Sequence, residues 1–344
     1  MIPEAADTTE SRSAGDAERI PNVLDFVDKA ELAQLTRRSD ARGLFAVLST
    51  WAVVGGSLAL LARYPHPLVF VLAVVVIGGR QLALAILQHE AAHRTLFVSR
   101  FGNDVFADLV CARPIGVDVA RYRKHHLRHH AHTSLAADPD ASLTAPFPTT
   151  RASLARKLLR DLSGIAGLKR LLGLVLMDLE VLEYTVAADV RRKPRAGRKP
   201  SDYLRAFVKN AWGALLTNAL LFAACAFTGH AWVYSAWIVA MLTTFGAFMR
   251  IRSLSEHACL EHGPNPMKNT RTTRAGLLAR ATVAPVRVSF HLEHHLAASV
   301  PYFRLPELHR LLRERGAVGE PPGYVDVLRL VTSGPAPRDA RGRP

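Results

Sequence analysis

Residues 68–93 read LVFVLAVVVIGGRQLALAILQHEAAH. From Leu68 to Leu87 the stretch carries one charge, Arg80, and His89-Glu90-Ala91-Ala92-His93 follows almost at once. A helix of about 20 apolar residues is long enough to cross the hydrocarbon core of a bilayer. On that helix His89 and His93 stand at i and i+4, on one face and about one turn apart. A membrane-crossing helix that ends in a pair of metal-ligand side chains is therefore the element around which the rest of the chain is read. Arg80 is costly in lipid and is expected to face protein, a cavity or an interface.

Three further apolar runs accompany it. Leu44–Ala62 precedes it, separated by the break Arg63-Tyr64-Pro65-His66-Pro67. Ala211–Thr228 and Trp232–Ile251 form a second pair around Gly229-His230-Ala231. The reading is an all-α integral membrane protein with four transmembrane helices as two hairpins, at about 44–62, 68–88, 211–228 and 232–251. Composition agrees: 49% of residues are hydrophobic and the mean hydropathy is +0.10. Charged residues make up 21%, below the roughly 25% of soluble domains.

The formal charge is +15. Of the two common targets of basic chains, nucleic acid and an anionic membrane face, the apolar runs favour the second, and no nucleic-acid-binding motif is present. The two hairpin tips hold only Arg63 between them, while the three remaining segments carry nearly all the Lys and Arg. By the positive-inside rule those segments face the cytoplasm and form a helical cap, as in a multi-pass inner or plasma membrane protein.

Outside the spans, residues 1–40 read as an N-terminal tail, disordered over 1–20, followed by an amphipathic segment, NVLDFVDKAELAQLTRRSD, over 22–40. No cleaved signal peptide is expected. Val105–Ile115 and Leu162–Tyr184 suit interfacial or half-buried helices, and Arg191–Lys199 is a basic loop. The main domain is set at 41–315 and a C-terminal tail at 316–344, disordered over 332–344. Cys111, Cys225 and Cys259 are too few and too scattered for a disulfide scaffold, a cysteine zinc site or an iron–sulfur cluster.

Histidine is the outlier, with 15 residues. Beside His89/His93 stand His125-His126-Leu127-Arg128-His129-His130-Ala131-His132 and His291-Leu292-Glu293-His294-His295, all in segments assigned to one membrane side. In a helical HxxHH, residues i, i+3 and i+4 form one patch, from which one imidazole can face one ion while two face another. Two such patches and one HxxxH pair exceed the four ligands of a tetrahedral zinc but suit two ions of five or so ligands each. Imidazole suits Fe, Zn, Cu and Ni. Glu90, Asp138, Asp140, Glu256 and Glu293 are the acids placed to offset the charge and orient the rings. A solvated basic face is the plain alternative for such clusters, and three spaced clusters in one chain argue against it. Single histidines are read otherwise: His66 and His230 as inert turn residues, His309 as a surface or supporting residue, and His262 as ambiguous.

The ordered set HEAAH, HLRHH and HLEHH between two apolar hairpins resembles the membrane fatty acid desaturases, within the histidine-box desaturase/hydroxylase superfamily. The resemblance spans roughly 40–315 and includes RKHHLRHHAHT (123–133) with Asp138-Pro139-Asp140, RSLSEH (252–257) and FHLEHHLAASVPYFRLPELH (290–309). It implies two irons held by box histidines plus one histidine between the second hairpin and the third box, which His257 matches. The implied ligand set is His89, His93, His126, His129, His130, His257, His291, His294 and His295, with His125 and His132 as spares and a one-residue register shift the open alternative. It further implies O2 as co-substrate and a fatty acyl chain of a lipid or thioester as substrate. No flavin, nicotinamide or haem motif is present, so electrons are expected from a separate ferredoxin-, rubredoxin- or cytochrome-like partner. Arg121, Arg123, Lys124, Arg191, Arg192 and Lys193 suit an anionic headgroup, a carrier phosphate or an acidic donor, or reflect the positive-inside rule alone.

Three other readings compete. A histidine-box hydroxylase or ketolase acting on another apolar lipid would carry the same boxes. HEAAH also matches the HExxH of zinc metalloproteases, with Glu90 as general base, but leaves both HxxHH clusters unexplained. A metal transporter would place its ligands mid-membrane, whereas these lie beyond the span ends.

Overall fold

The computed structural model describes residues 19–334, which are helical apart from turns, loops and a few isolated bridges such as Thr272 with Phe290. The expected tails over 1–18 and 335–344 lie outside the described residues. The amphipathic segment 22–40 resolves into one turn at Val23–Asp25 and α1 (Lys29–Leu35), opened by a reciprocal cap between Asp28 and Glu31.

Among the described residues four helices are long and apolar enough to cross a membrane. The first, α2 (Asp40–Arg63), begins where the Ser39 hydroxyl accepts from Arg42 N, and buries Val47, Thr50, Val54, Leu58 and Leu61 at helical spacing. Phe45 and Leu48 point outward, as expected of a lipid-facing side. The second, α3 (Pro67–His93), starts with Pro at its first turn, where the missing N–H costs nothing. Its opening residues Leu68, Val71 and Leu72 are exposed, while Gln81 to Ala92 is almost wholly enclosed by protein. Its far end is thus a protein core, suited to hold fixed side chains.

Beyond a helical stretch over 102–115, wound as wide π-turns that end in one 3-10 turn, α4 (Val119–His132) is capped by Asp118, whose carboxylate accepts from Arg121 N at 2.7 Å. The short α5 (Ala141–Thr144) leads into α6 (Arg151–Leu162) and α7 (Ile165–Asp178), which expose Leu159, Leu162, Leu168 and Leu172, as interfacial helices do.

The third long helix, α8 (Pro200–Phe227), begins some way before the apolar run expected from 211. Pro200 and Asp202 start it, and Asn210 Nδ2 donates to Asp178 O at 3.0 Å, so the added polar turns pack on protein. The fourth span, Ala231–His257, is broken at Thr243 into α9 (Tyr234–Leu242) and α10 (Thr244–His257). Arg170 on α7 donates to Met241 O at the break, and a Cβ at Gly167 would lie 2.0 Å from Leu242 O. The Met241 carbonyl at the break is therefore taken up by Arg170, and Gly167 lets α7 approach closely enough for this.

Apolar burial does not drive helix association in lipid; close approach of small residues does. A Cβ at Gly78 would sit 2.1 Å from Thr244 Oγ1, which itself donates to Val74 O at 2.9 Å, so α3 and α10 meet there nearly backbone to backbone. Nearby, Gln81 Nε2 donates to Trp237 O at 2.9 Å, and Trp237 stacks on Trp51. Arg80 faces protein, donating to Ala281 O at 2.9 Å.

The remaining helices complete the cap: α11 (Pro266–Asn269), α12 (Leu277–Ala281), α13 (His291–Leu296), α14 (Leu305–Glu314) and α15 (Tyr324–Val331). The segment set apart as a C-terminal tail therefore holds a helix, whose Val327 and Val331 are buried with Leu154 and Leu254.

Candidate metal centre

The four elements that carry the boxes end at one place. α3 brings His89 and His93 in its last turns, α4 brings His126, His129 and His130, α10 ends on His257, and α13 brings His291, His294 and His295. Arg123 fixes the end of α3 by donating to Ala92 O at 2.7 Å and Ala91 O at 2.9 Å, and it also pairs with Asp104.

The nine histidines fall into two groups. His89, His93, His126, His130 and His294 form one; His129, His257, His291 and His295 form the other. In each group one nitrogen per residue lies within 4.8 Å of all the others. His130 Nε2 is 3.0 Å from both His126 Nε2 and His294 Nε2, and His291 Nε2 is 2.9 Å from His257 Nε2. The i, i+4 pair of each HxxHH box stays together, His126 with His130 and His291 with His295, while the third member crosses to the other group.

These contacts leave polar atoms unsatisfied. Both ring nitrogens of His89, His93 Nε2, His294 Nδ1 and His295 Nε2 are buried with no hydrogen-bond partner among the described residues. Buried polar atoms are rarely left so, because the lost hydration costs about 1–3 kcal/mol each. Burial, reinforced by neighbouring imidazoles, drives His126, His130, His291, His294 and His295 well below the usual imidazole range. They are therefore neutral near pH 7, with lone pairs converging on shared points. The two clusters are suited to binding metal ions, and their all-nitrogen donor sets fit iron among the transition metals.

The second group is the better buttressed. His129 Nδ1 meets Asp138 Oδ1 at 2.8 Å, His257 Nδ1 donates to Asn269 O at 3.2 Å, and His295 Nδ1 lies 3.3 Å from Thr133 Oγ1. His291 Nδ1 is 3.6 Å from Glu256 Oε1, and Glu256 pairs with Arg252 at 2.5 Å. Each far nitrogen thus faces an acceptor, which leaves Nε2 free for an ion. Burial would raise the Asp138 carboxyl, but its hydrogen bond and charge contact with His129 outweigh that and hold it below the usual range.

Several expectations meet a different geometry. His125 belongs to neither group: its Nε2 meets Asp140 Oδ1 at 2.7 Å, so the register His126-x-x-His129-His130 is the one that converges. Neither His132 nor His262 joins a group. Glu293 faces away from the histidines, accepting from Thr272 Oγ1 and meeting His309 Nδ1 at 2.7 Å, because HxxHH on one helical face turns the residue between outward. Glu90 lies 3.7 Å from His89 Nδ1 and also accepts from Thr95 Oγ1 at 2.8 Å and Tyr302 N at 3.0 Å. Arg121 and Arg123, read from the sequence as facing an anionic partner or as positive-inside charge alone, are committed to Asp118, Asp178 and Asp104 inside the cap. Tyr122, not singled out in the sequence, stacks on His126 with ring centroids 5.2 Å apart; its place one turn before His126 was the available signal. Thr133 and Asn269 gave no signal, since they act through loop geometry.

A helical membrane-type scaffold ending in two polyhistidine clusters defines a class of membrane metalloenzyme. The model of the family described as "Fatty acid desaturase" matches residues 65–323. The chain is also similar to the dihydrorhizobitoxine desaturase of Bradyrhizobium elkanii, 27% identical over 262 residues that cover 74% of this chain and 69% of that one. This chain belongs to the fatty acid desaturase family and is an oxidoreductase with that family's di-iron-type histidine sites. The metalloprotease reading falls with this, and Glu90, tied to Thr95 and Tyr302, is not presented as a free base.

Proposed function

We propose that the protein is an O2-dependent, non-haem di-iron desaturase that introduces a double bond into the fatty acyl chain of a lipid or thioester. The observation that carries this is the pair of imidazole clusters at the end of a scaffold with four membrane-length helices. The ligands of one iron are His89, His93, His126, His130 and His294, and those of the other His129, His257, His291 and His295.

Removing hydrogen from unactivated carbon is beyond the ordinary acid and base side chains, and the two irons with O2 supply that chemistry. The chain's own residues bind and orient. Asp138, Thr133 and the Asn269 carbonyl hold the tautomers of His129, His295 and His257, Glu256 adds a negative charge near His291, and Tyr122 packs on His126. Enclosure of α3 from Gln81 to Ala92 excludes water around the first, which favours C–H oxidation over side reactions. The Lys/Arg distribution supports a centre facing the cytoplasm from an inner or plasma membrane, with electrons supplied by a separate ferredoxin-, rubredoxin- or cytochrome-like protein.

Dihydrorhizobitoxine, the substrate in the name of the bacterial relative, is the second substrate to test. Expression in a host with a simple lipid profile, followed by mass spectrometry of total fatty acids, tests the first. A new unsaturated acyl species is expected. A new hydroxy species would turn the reading toward a hydroxylase, and no new species from an iron-loaded, electron-supplied protein would count against acyl substrates.

A further inference from the structure

On the far side of α13 from the histidines lies a cavity of about 190 Å³ that the proposed reaction does not use. Arg274, Arg280, Arg287 and Arg313 line it, against one carboxylate, Glu320. Glu320 lies 2.6 Å from Arg313 Nη2 and 3.5 Å from Arg274 Nη1. Arg280 and Arg287 have no carboxylate within ion-pair distance among the described residues. Four guanidiniums around one acid leave a strong positive excess in a small hollow, which is the chemistry of a phosphate site. The backbone is bent to make it: Val286 and Arg287 both hold positive φ, 53° and 61°, a conformation that is strained for a β-branched residue.

Its position tells which phosphate. The wall helix α12 packs against the apolar span α3, where a Cβ at Gly79 would lie 2.2 Å from Ala281 O and where Arg80 donates to the same carbonyl. On this helix Leu277 and Leu278 are 84% and 78% exposed. Two leucines this exposed beside a membrane-crossing helix suit acyl chains, and the arginines flanking them suit the headgroup layer just above. A soluble partner would have to reach the cavity where that span meets the bilayer.

We propose that this cavity binds the phosphate of an anionic membrane lipid, with Leu277 and Leu278 set among the acyl chains beside it. This lipid is a ligand of the cap distinct from the chain that is oxidised, because α13 separates the two sites. His291, His294 and His295 face the metal groups, whereas Thr272 and His309, which line the cavity, hold Glu293 on the opposite side.

The full-length protein, purified in non-ionic detergent, is mixed with equimolar dioleoyl phosphatidylglycerol and dioleoyl phosphatidylcholine, and bound lipid is read by native mass spectrometry. Retention of phosphatidylglycerol by roughly tenfold over phosphatidylcholine is expected, because only the former brings a net negative charge to the arginines. Arg280→Ala/Arg287→Ala is expected to abolish the preference and Arg280→Lys/Arg287→Lys to keep most of it. Monodisperse elution of every variant checks folding. No preference in the native chain, or a preference that survives the double alanine variant, would overturn the proposal. Full displacement of the lipid by millimolar inorganic phosphate would overturn the lipid as ligand, since the acyl contacts would then add nothing.

Discussion

His129 and His130 are neighbours in the chain and belong to different metal groups. His130 Nε2 stands 3.0 Å from the Nε2 atoms of His126 and His294, whereas the His129 ring packs on His257 and His295 at centroid distances of 4.9 and 5.1 Å. One step along a helix is a rotation of about 100°, enough to send adjacent imidazoles to two separate points. Alanine substitutions at the two positions are therefore expected to remove different ions. Both variants should insert in the membrane, lose turnover, and fall from two irons per chain to about one, measured by inductively coupled plasma mass spectrometry. Full activity in either variant would falsify its place in the ligand set.

Asp138 acts on His129 through a hydrogen bond of 2.8 Å, while Asp140 acts chiefly on His125, outside both groups. Removing a partner of this kind commonly lowers metal affinity about 10–100-fold. Asp138→Ala is expected to show that loss in a competitive chelator titration. Asp140→Asn is expected to keep its affinity within a few-fold, since His125 supplies no ligand atom and the 3.8 Å contact from Asp140 to His129 is secondary.

Protons compete with metal at these clusters. Burial lowers His126, His130, His291, His294 and His295 in the folded protein, whereas an unfolded imidazole titrates near about 6.5. Below that value the unfolded chain binds more protons than the folded one, so the metal-free protein loses stability as pH falls. Binding metal keeps the imidazoles unprotonated and opposes the same change. The melting temperature of the metal-free protein is expected to fall between pH 7 and 5, and iron release to accelerate over the same range. A flat profile would show that these groups are accessible and unperturbed.

Much of this could be read from the residues before the structure. The spans were legible because each is a long apolar run, and the clusters because i, i+3 and i+4 share a helical face. What escaped depended on partners far away in sequence or on polar helix that packs on protein. The early start of α8 carried local signals, Pro200 and Asp202, but hydropathy alone stops at the first polar turn. The ion pairs of Arg121 with Asp178 and of Arg123 with Asp104 join separate elements, so both arginines read as surface charge. Glu293 was legible in principle, since three ligands on one face of α13 leave no room there for a fourth side chain.

Helix contact in the stalk is expected to be sensitive at Gly78 and tolerant at Gly55. A Cβ at Gly78 would meet Thr244 Oγ1 at 2.1 Å, whereas among the described residues nothing beyond its own stretch of helix lies within 4 Å of one at Gly55. Gly78→Val should destabilise by about 1–3 kcal/mol, as overpacking does, or prevent folding. Gly55→Ala should be neutral or stabilising by about 0.5–1 kcal/mol, as for other helix interiors. Thermal melts followed by fluorescence-detected size exclusion compare the two.

The central claim is that imidazoles from four helices cage two separate iron ions. Anomalous diffraction at the iron absorption edge from crystals of the iron-loaded protein tests it directly. The expected result is two peaks, one among His89, His93, His126, His130 and His294 and one among His129, His257, His291 and His295. A single peak, or iron bound away from both clusters, would contradict it.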